Sequence, residues 1–276
     1  MDSPTLVIGA RGSVGRHVVD QLLVAGRRVR ASVRNPASAD LPDGVAVVAA
    51  DLTEPNTLGA ALDGVATVFL YAPTAGAEGF VDAARTAGVE HVVLLSSGSV
   101  LLPDAVGNLI AEEHRAVERA LAESGLRWTP IRPLVLANNA LNWAGSIRDE
   151  RVVRLVHPDA VTAPVHERDI AAVAVAAIVD GGEHVSGLLT GGELVSQRRQ
   201  VEVIGEAIGA DVRIEELSPA QARARFGGSD EFDAVVQFIE AARRGGSPAT
   251  ATAELVLGRR PASFAEWVDD HVGAFR

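Results

Sequence analysis

Apolar residues in the first half of the chain come as short runs without alternation, and stretches of helical spacing separate them. Thr5–Ile8, Val29–Val33, Val45–Ala49, Val65–Leu70, His91–Leu95 and Trp128–Ile131 are such runs. A strand that is apolar on both faces is buried on both, which is the habit of a parallel sheet with helices on either side. The stretches Val14–Ala25, Gly79–Ala87 and Leu109–Ser124 carry the helical pattern between them. Thr53 reads as the cap of a further helix running to Leu62, with Pro55 in its first turn. Strand and helix in regular succession predict an α/β fold built on a doubly wound parallel sheet.

After about Arg151 the pattern loosens. Asp169 reads as the cap of an Ala/Val-rich helix to Val179, ended by Gly181-Gly182. Short strands at Leu188–Thr190 and Val212–Glu216 then mix with helices at Gln197–Ile208, Phe232–Ala242 and Ser263–Phe275, while Gly227–Ser229 and Arg243–Pro248 read as loops. The expected division is a Rossmann domain over residues 1–155 and a smaller C-terminal substrate lobe over 156–276, packed at the carboxyl edge of the sheet. Residues 164–180 are expected to pack back on the sheet.

Composition narrows the function. The hydrophobic share of 47% suits a buried core, and the formal charge of −11 argues against nucleic acid as a direct partner, because a polyanion needs a basic face. No cysteine is present, so disulfides, thiolate nucleophiles and cysteine-based zinc sites are excluded. The start MDSPTLVIGARG lacks a signal peptide's basic and apolar regions, and the apolar run Ile170–Val179 is about half a membrane span. A cytoplasmic protein without a membrane partner is the expectation, with homodimer formation left open. All 25 basic residues are arginine, so no lysine is available to form a Schiff base or to lower a neighbour's pKa.

The first strand runs into Gly9-Ala10-Arg11-Gly12-Ser13-Val14-Gly15, placed between strand and helix as a dinucleotide fingerprint requires. In that reading Gly9 allows the turn, Gly12 lets backbone N–H groups approach a pyrophosphate, and Gly15 lets helix and strand pack closely. Ser13 and Val14 open the helix whose N-terminus faces the phosphates. An acid at the end of the second strand would select NAD; here the segment is Ala31-Ser32-Val33-Arg34-Asn35, with no acid before Asp40. Arg34 can grip a 2′-phosphate bidentately, and Arg11 can stack on the adenine or share that phosphate, which predicts NADP(H) as the cofactor. Asp51 and Leu52, after the third strand, fall where the adenine sits.

Taken together, GARGSVG (Gly9–Gly15), VRNP (Val33–Pro36), ADLTEP (Ala50–Pro55), LLSSGSV (Leu94–Val100), AEEHRAVERAL (Ala111–Leu121) and SGLRWTPIRP (Ser124–Pro133) resemble the NmrA-like, atypical branch of the short-chain dehydrogenase/reductase superfamily. Asn139, VHERDIA (Val165–Ala171) and RPASFAEWV (Arg260–Val268) extend the resemblance over most of the chain, and AEEHRAVERAL is most similar to the NADPH-dependent quinone oxidoreductases. The resemblance implies that Tyr71, Ala72 and Pro73 line the pyrophosphate or ribose, that Pro133 and Leu134 back the nicotinamide, and that Asn138 and Asn139 face the substrate. It covers reductases of quinones, azo compounds and iminium ions, and also regulators that only sense the nucleotide.

Mainstream short-chain dehydrogenases use a Tyr-x-x-x-Lys pair for proton transfer. This chain has one tyrosine, Tyr71, and no lysine; the corresponding helix carries His114 and Glu118, four positions apart and on one face. A surface ion pair, half of a metal site and a place in the reduction site are the competing readings. No third ligand is suggested nearby, so no metal is expected. In the site reading His114 donates a hydrogen bond or proton near the nicotinamide, Glu118 orients it, Ser97 donates to the substrate, and Ser96 contacts the cofactor. His157 and His166, lone residues beside prolines, read as structural. The expected substrate is a small aromatic or conjugated acceptor, a quinone first, with an imine, iminium or enone, or a non-catalytic NADP(H) sensor, as alternatives.

Overall fold

The structure, a computed structural model, describes residues 3–72, 75–182, 185 and 187–276. Six parallel strands form the framework: β1 (Thr5–Ile8), β2 (Val29–Val33), β3 (Ala46–Ala49), β4 (Thr67–Tyr71), β5 (His91–Leu95) and β6 (Arg127–Pro133), in the spatial order β3-β2-β1-β4-β5-β6. The order reverses beside β1, so a crevice opens at the carboxyl ends of β1 and β4, where such sheets bind ligands. Helices α1 (Ser13–Val24), α2 (Leu58–Leu62), α3 (Ala77–Ala87) and α4 (Leu109–Glu123) make the crossovers. The doubly wound sheet expected from the apolar runs is the fold found.

β1, β4 and β5 lie at the centre of the sheet, and residues such as Leu6, Val68, Leu70, Val92 and Leu94 are fully buried there. They pack with Phe80 of α3 and with Val117 and Leu121 of α4 into one core. β3 differs from its expected buried character. It is an edge strand, with one neighbour, and most of it is exposed.

The chain divides into two compact units that interleave in sequence instead of meeting at one boundary near residue 155. The first takes the chain through Ser97, Glu113–Arg132 and Glu167–Gly187; the second takes Gly98–Glu112, Pro133–His166 and Leu188–Arg276. The helix Glu167–Asp180 returns to the first unit because its Ala/Val-rich face packs on α1, where Gln21 Nε2 also donates to the Arg168 carbonyl at 3.0 Å.

In the second unit, Val152–Leu155 pairs in parallel with Arg213–Glu216, and Val161–Thr162 pairs antiparallel with Val195–Ser196. Its core gathers Ile147, Val153, Ile204, Phe264, Trp267 and Phe275. Ser263 caps the helix Phe264–His271 in a reciprocal box with Glu266, and a 3-10 turn carries the chain on to Phe275, where the sequence suggested one continuous helix. Two expected caps are replaced. Thr53 instead donates its N–H and hydroxyl to Asp51, and the next helix opens as a 3-10 turn at Pro55. Asp169 lies buried inside the first turn of a helix that already begins at Glu167.

Candidate active site

The glycine loop is built for close approach. Gly9 has φ +84°, and a Cβ there would stand 2.8 Å from Tyr71 Cδ1, so both backbone and space require glycine. A Cβ on Gly15 would stand 2.1 Å from the Gly9 carbonyl oxygen, which lets α1 press against the end of β1. The Gly12 N–H donates to the Gly9 carbonyl at 2.9 Å and closes the turn. α1 then starts at Ser13 with Gly12 as its N-cap and without a side-chain cap. A helix of 12 residues so begun offers its first N–H groups to an anion at the positive end of its dipole. Arg11, Gly12 and Ser13 are exposed at this end, whereas Val14 and Gly15 are buried. These features fit a dinucleotide pyrophosphate, for which Gly9, Gly12, Ser13 and Val14 would supply the cradle.

Arg34 is exposed directly after β2. Asp51 Oδ1 accepts from the Thr53 N–H at 2.9 Å and from its hydroxyl at 2.7 Å. These two bonds, with the Arg34 charge nearby as a smaller cause, hold the Asp51 carboxyl below the usual carboxylate range. One oxygen thus serves its own turn. Leu52 is buried beside it. Tyr71 is half-exposed with its ring over Gly9, and the Ala72 N–H donates to the Leu95 carbonyl at 3.1 Å. Pro73 lies outside the described residues.

The twin serines after β5 are sorted by burial. Ser96 is 4% exposed, its N–H donates to the Ile131 carbonyl at 2.8 Å, and its hydroxyl donates to Glu118 Oε1 at 2.7 Å. Ser97 is half-buried. Glu118 also receives a fork from Arg132, with Nε to Oε1 at 2.8 Å and Nη2 to Oε2 at 2.7 Å. Arg132 is the residue that sequence reasoning missed. Arg132 and Ser96 meet through the strand register, in which Leu95 stands opposite Ile131 and so Ser96 falls opposite Arg132, a pairing with no signal in the sequence. α4 returns antiparallel to β5 in the crossover to β6. His114, half-buried and one turn before Glu118, therefore lies about 6 Å further toward the carboxyl edge of the sheet.

The remaining expected site residues belong to the second unit. Pro133 is buried, and the Leu134 N–H donates to the Leu189 carbonyl at 3.0 Å. Asn138 is half-buried and Asn139 exposed in the 3-10 turn Ala137–Trp143. The two histidines read as structural have different surroundings. His166 is buried with Nε2 at 3.2 Å from Asp270 Oδ2, whereas His157 has φ +51° with Nδ1 facing Arg243.

A family model described as NAD(P)H-binding matches residues 9–181, more than half the chain and starting on Gly9. A (4-alkanoyl-5-oxo-2,5-dihydrofuran-3-yl)methyl phosphate reductase of Streptomyces griseus is 37% identical over 98% of both chains. The chain belongs to the NAD(P)H-binding, NmrA-like branch of the atypical short-chain dehydrogenase/reductases. Within that branch it is also similar to an NAD(P)H azoreductase of Xenophilus azovorans, 31% identical over 98% of both chains. An NADPH-dependent quinone oxidoreductase from Escherichia coli, solved with NADPH, superposes with a TM-score of 0.82 at 25% identity, covering 97% of this chain and 99% of that one. The protein is an NAD(P)H-dependent oxidoreductase.

Proposed function

We propose that the protein uses NADPH to reduce a quinone or a similarly electron-poor conjugated small molecule, without a Tyr/Lys pair. The observation that carries this reading is the helix α4. Where a mainstream relative would hold tyrosine and lysine it holds His114 and Glu118, and the Glu118 carboxylate is taken up by Arg132 and Ser96. A simple ketone needs a good acid as hydride arrives, because an alkoxide is a poor product. A quinone needs much less, since its reduced anion is delocalised.

The reduced nicotinamide, when bound, supplies the hydride. The chain's residues supply placement. The glycine loop holds the pyrophosphate, and Arg34 selects the 2′-phosphate by a bidentate contact. Ser97 donates a hydrogen bond to the acceptor oxygen, and His114 delivers or relays the proton that completes the hydroquinone. The printed activities of the relatives support the substrate class: a quinone, an azo compound and an oxo-dihydrofuran bearing an alkanoyl group all present conjugated, electron-poor systems.

The test is NADPH consumption by the purified protein with matched panels of quinones, enones, imines and simple ketones. Turnover with quinones or enones and little with simple ketones is expected. Binding of NADPH with no consumption across the panel would contradict the reading.

A further inference from the structure

Resting on the function proposed above, we infer that Arg132 is a positioning residue of the reduction site, acting through Glu118 on Ser96. Three elements meet at this one cluster: the end of β5 through Ser96, the end of β6 through Arg132, and α4 through Glu118. The ion pair is largely withdrawn from water, with side chains 15% and 13% exposed. Both of its bonds run between planar groups, a fork that an ammonium cannot reproduce.

The consequence falls on the neighbours. Ser97 follows Ser96 directly, and His114 lies one turn along the same face of α4 as Glu118. Locking Glu118 between two strand ends fixes the axial position of α4, and with it the reach of His114. Locking Ser96 from its N–H and its hydroxyl together fixes the main chain that carries Ser97. Without the guanidinium fork, Glu118 would keep a half-buried charge with only the Ser96 hydroxyl to satisfy it. The carboxylate would turn toward water and take α4 with it. A small displacement of donor groups costs rate far more than affinity. The glycine loop and Arg34 grip other parts of the cofactor, so its binding should be spared.

The experiment uses Arg132→Lys and Ser96→Ala in the full chain, with NADPH and a quinone that the wild type reduces. For Arg132→Lys the expected result is a kcat lowered about tenfold or more, with the Kd for NADPH within about threefold of wild type. The primary isotope effect with NADPH deuterated at the transferring position should rise, because hydride transfer becomes slower relative to other steps. Ser96→Ala, which leaves the ion pair in place, should lower kcat by about threefold with the same isotope signature. If Arg132→Lys does not fold, Ser96→Ala decides alone. A kcat within about twofold of wild type in the folded variants overturns the inference. So does a fall in kcat that NADPH affinity and melting temperature share in proportion, since that marks general loss of structure. A wild-type protein that reduces no acceptor overturns the functional reading and this inference with it, and that outcome is visible before any variant is made.

Discussion

Arg34 leaves β2 exposed, directly after the buried Val33, and its charge already contributes to holding the Asp51 carboxyl low. A guanidinium in that position pairs with a dianionic 2′-phosphate, whereas a ribose hydroxyl gives it little to hold. Arg34→Ala should therefore weaken NADPH about 10- to 100-fold and NADH by less than about twofold, as read by titration calorimetry. Equal losses for both nucleotides would remove the 2′-phosphate from its role. At the same scale, the hydrogen bonds of Glu118 come from residues distant in sequence. The four-residue spacing ties it to His114 in sequence, but its oxygens are taken by Ser96 and Arg132 from two strands that only the fold brings alongside.

At the scale of elements, the sequence is most legible where a short apolar run or a glycine bounds the element locally. Thr5–Ile8, Val29–Val33, His91–Leu95 and Gln197–Ile208 have the extents their patterns predict. The glycine loop was legible for the same reason, since its turn, cap and close contacts lie within a few residues of one another, Tyr71 apart. Arg213–Glu216 matches the strand expected at Val212–Glu216, whereas its partner Val152–Leu155, far from it along the chain, carries no turn or glycine signal of its own and is identified as a strand only by the pairing. The exposed edge strand β3 shows the converse, an apolar run whose burial depends on its place in the sheet. One element was missed despite its signal: Ser218 and Gln221 form a reciprocal capping box that starts the helix Pro219–Phe226, and that spacing is readable in sequence. Ser96 and Arg132 were not pairable from sequence, because their meeting depends on the register of β5 against β6.

For the whole molecule, the parallel sheet that builds the site also sets a pH limit on stability. His91 opens β5 between two neighbouring strands, 1% exposed, with Nε2 at 2.9 Å from Thr129 Oγ1 and Nδ1 buried without a hydrogen-bond partner. Burial, with the Arg127 charge adding to it, pushes this imidazole down to about 4. Above pH about 6.5 the ring is neutral whether folded or unfolded. As pH falls from there to about 4, the unfolded chain takes up a proton that the folded chain refuses, so stability drops through that window by up to about 3 kcal/mol. Urea denaturation at a series of pH values should show that loss, and His91→Gln should flatten it while keeping an amide to meet Thr129. An unchanged slope in the variant would show that His91 is not the cause.

The proposed reaction depends on hydride leaving a bound NADPH for a conjugated acceptor. The most direct measurement mixes the protein with NADPH deuterated at the transferring carbon and an enone that accepts hydride at carbon, and then locates the label by mass spectrometry and NMR. One deuterium is expected on the reduced carbon of the product for each NADPH consumed. Product without label, or tight nucleotide binding with no product at all, would contradict it.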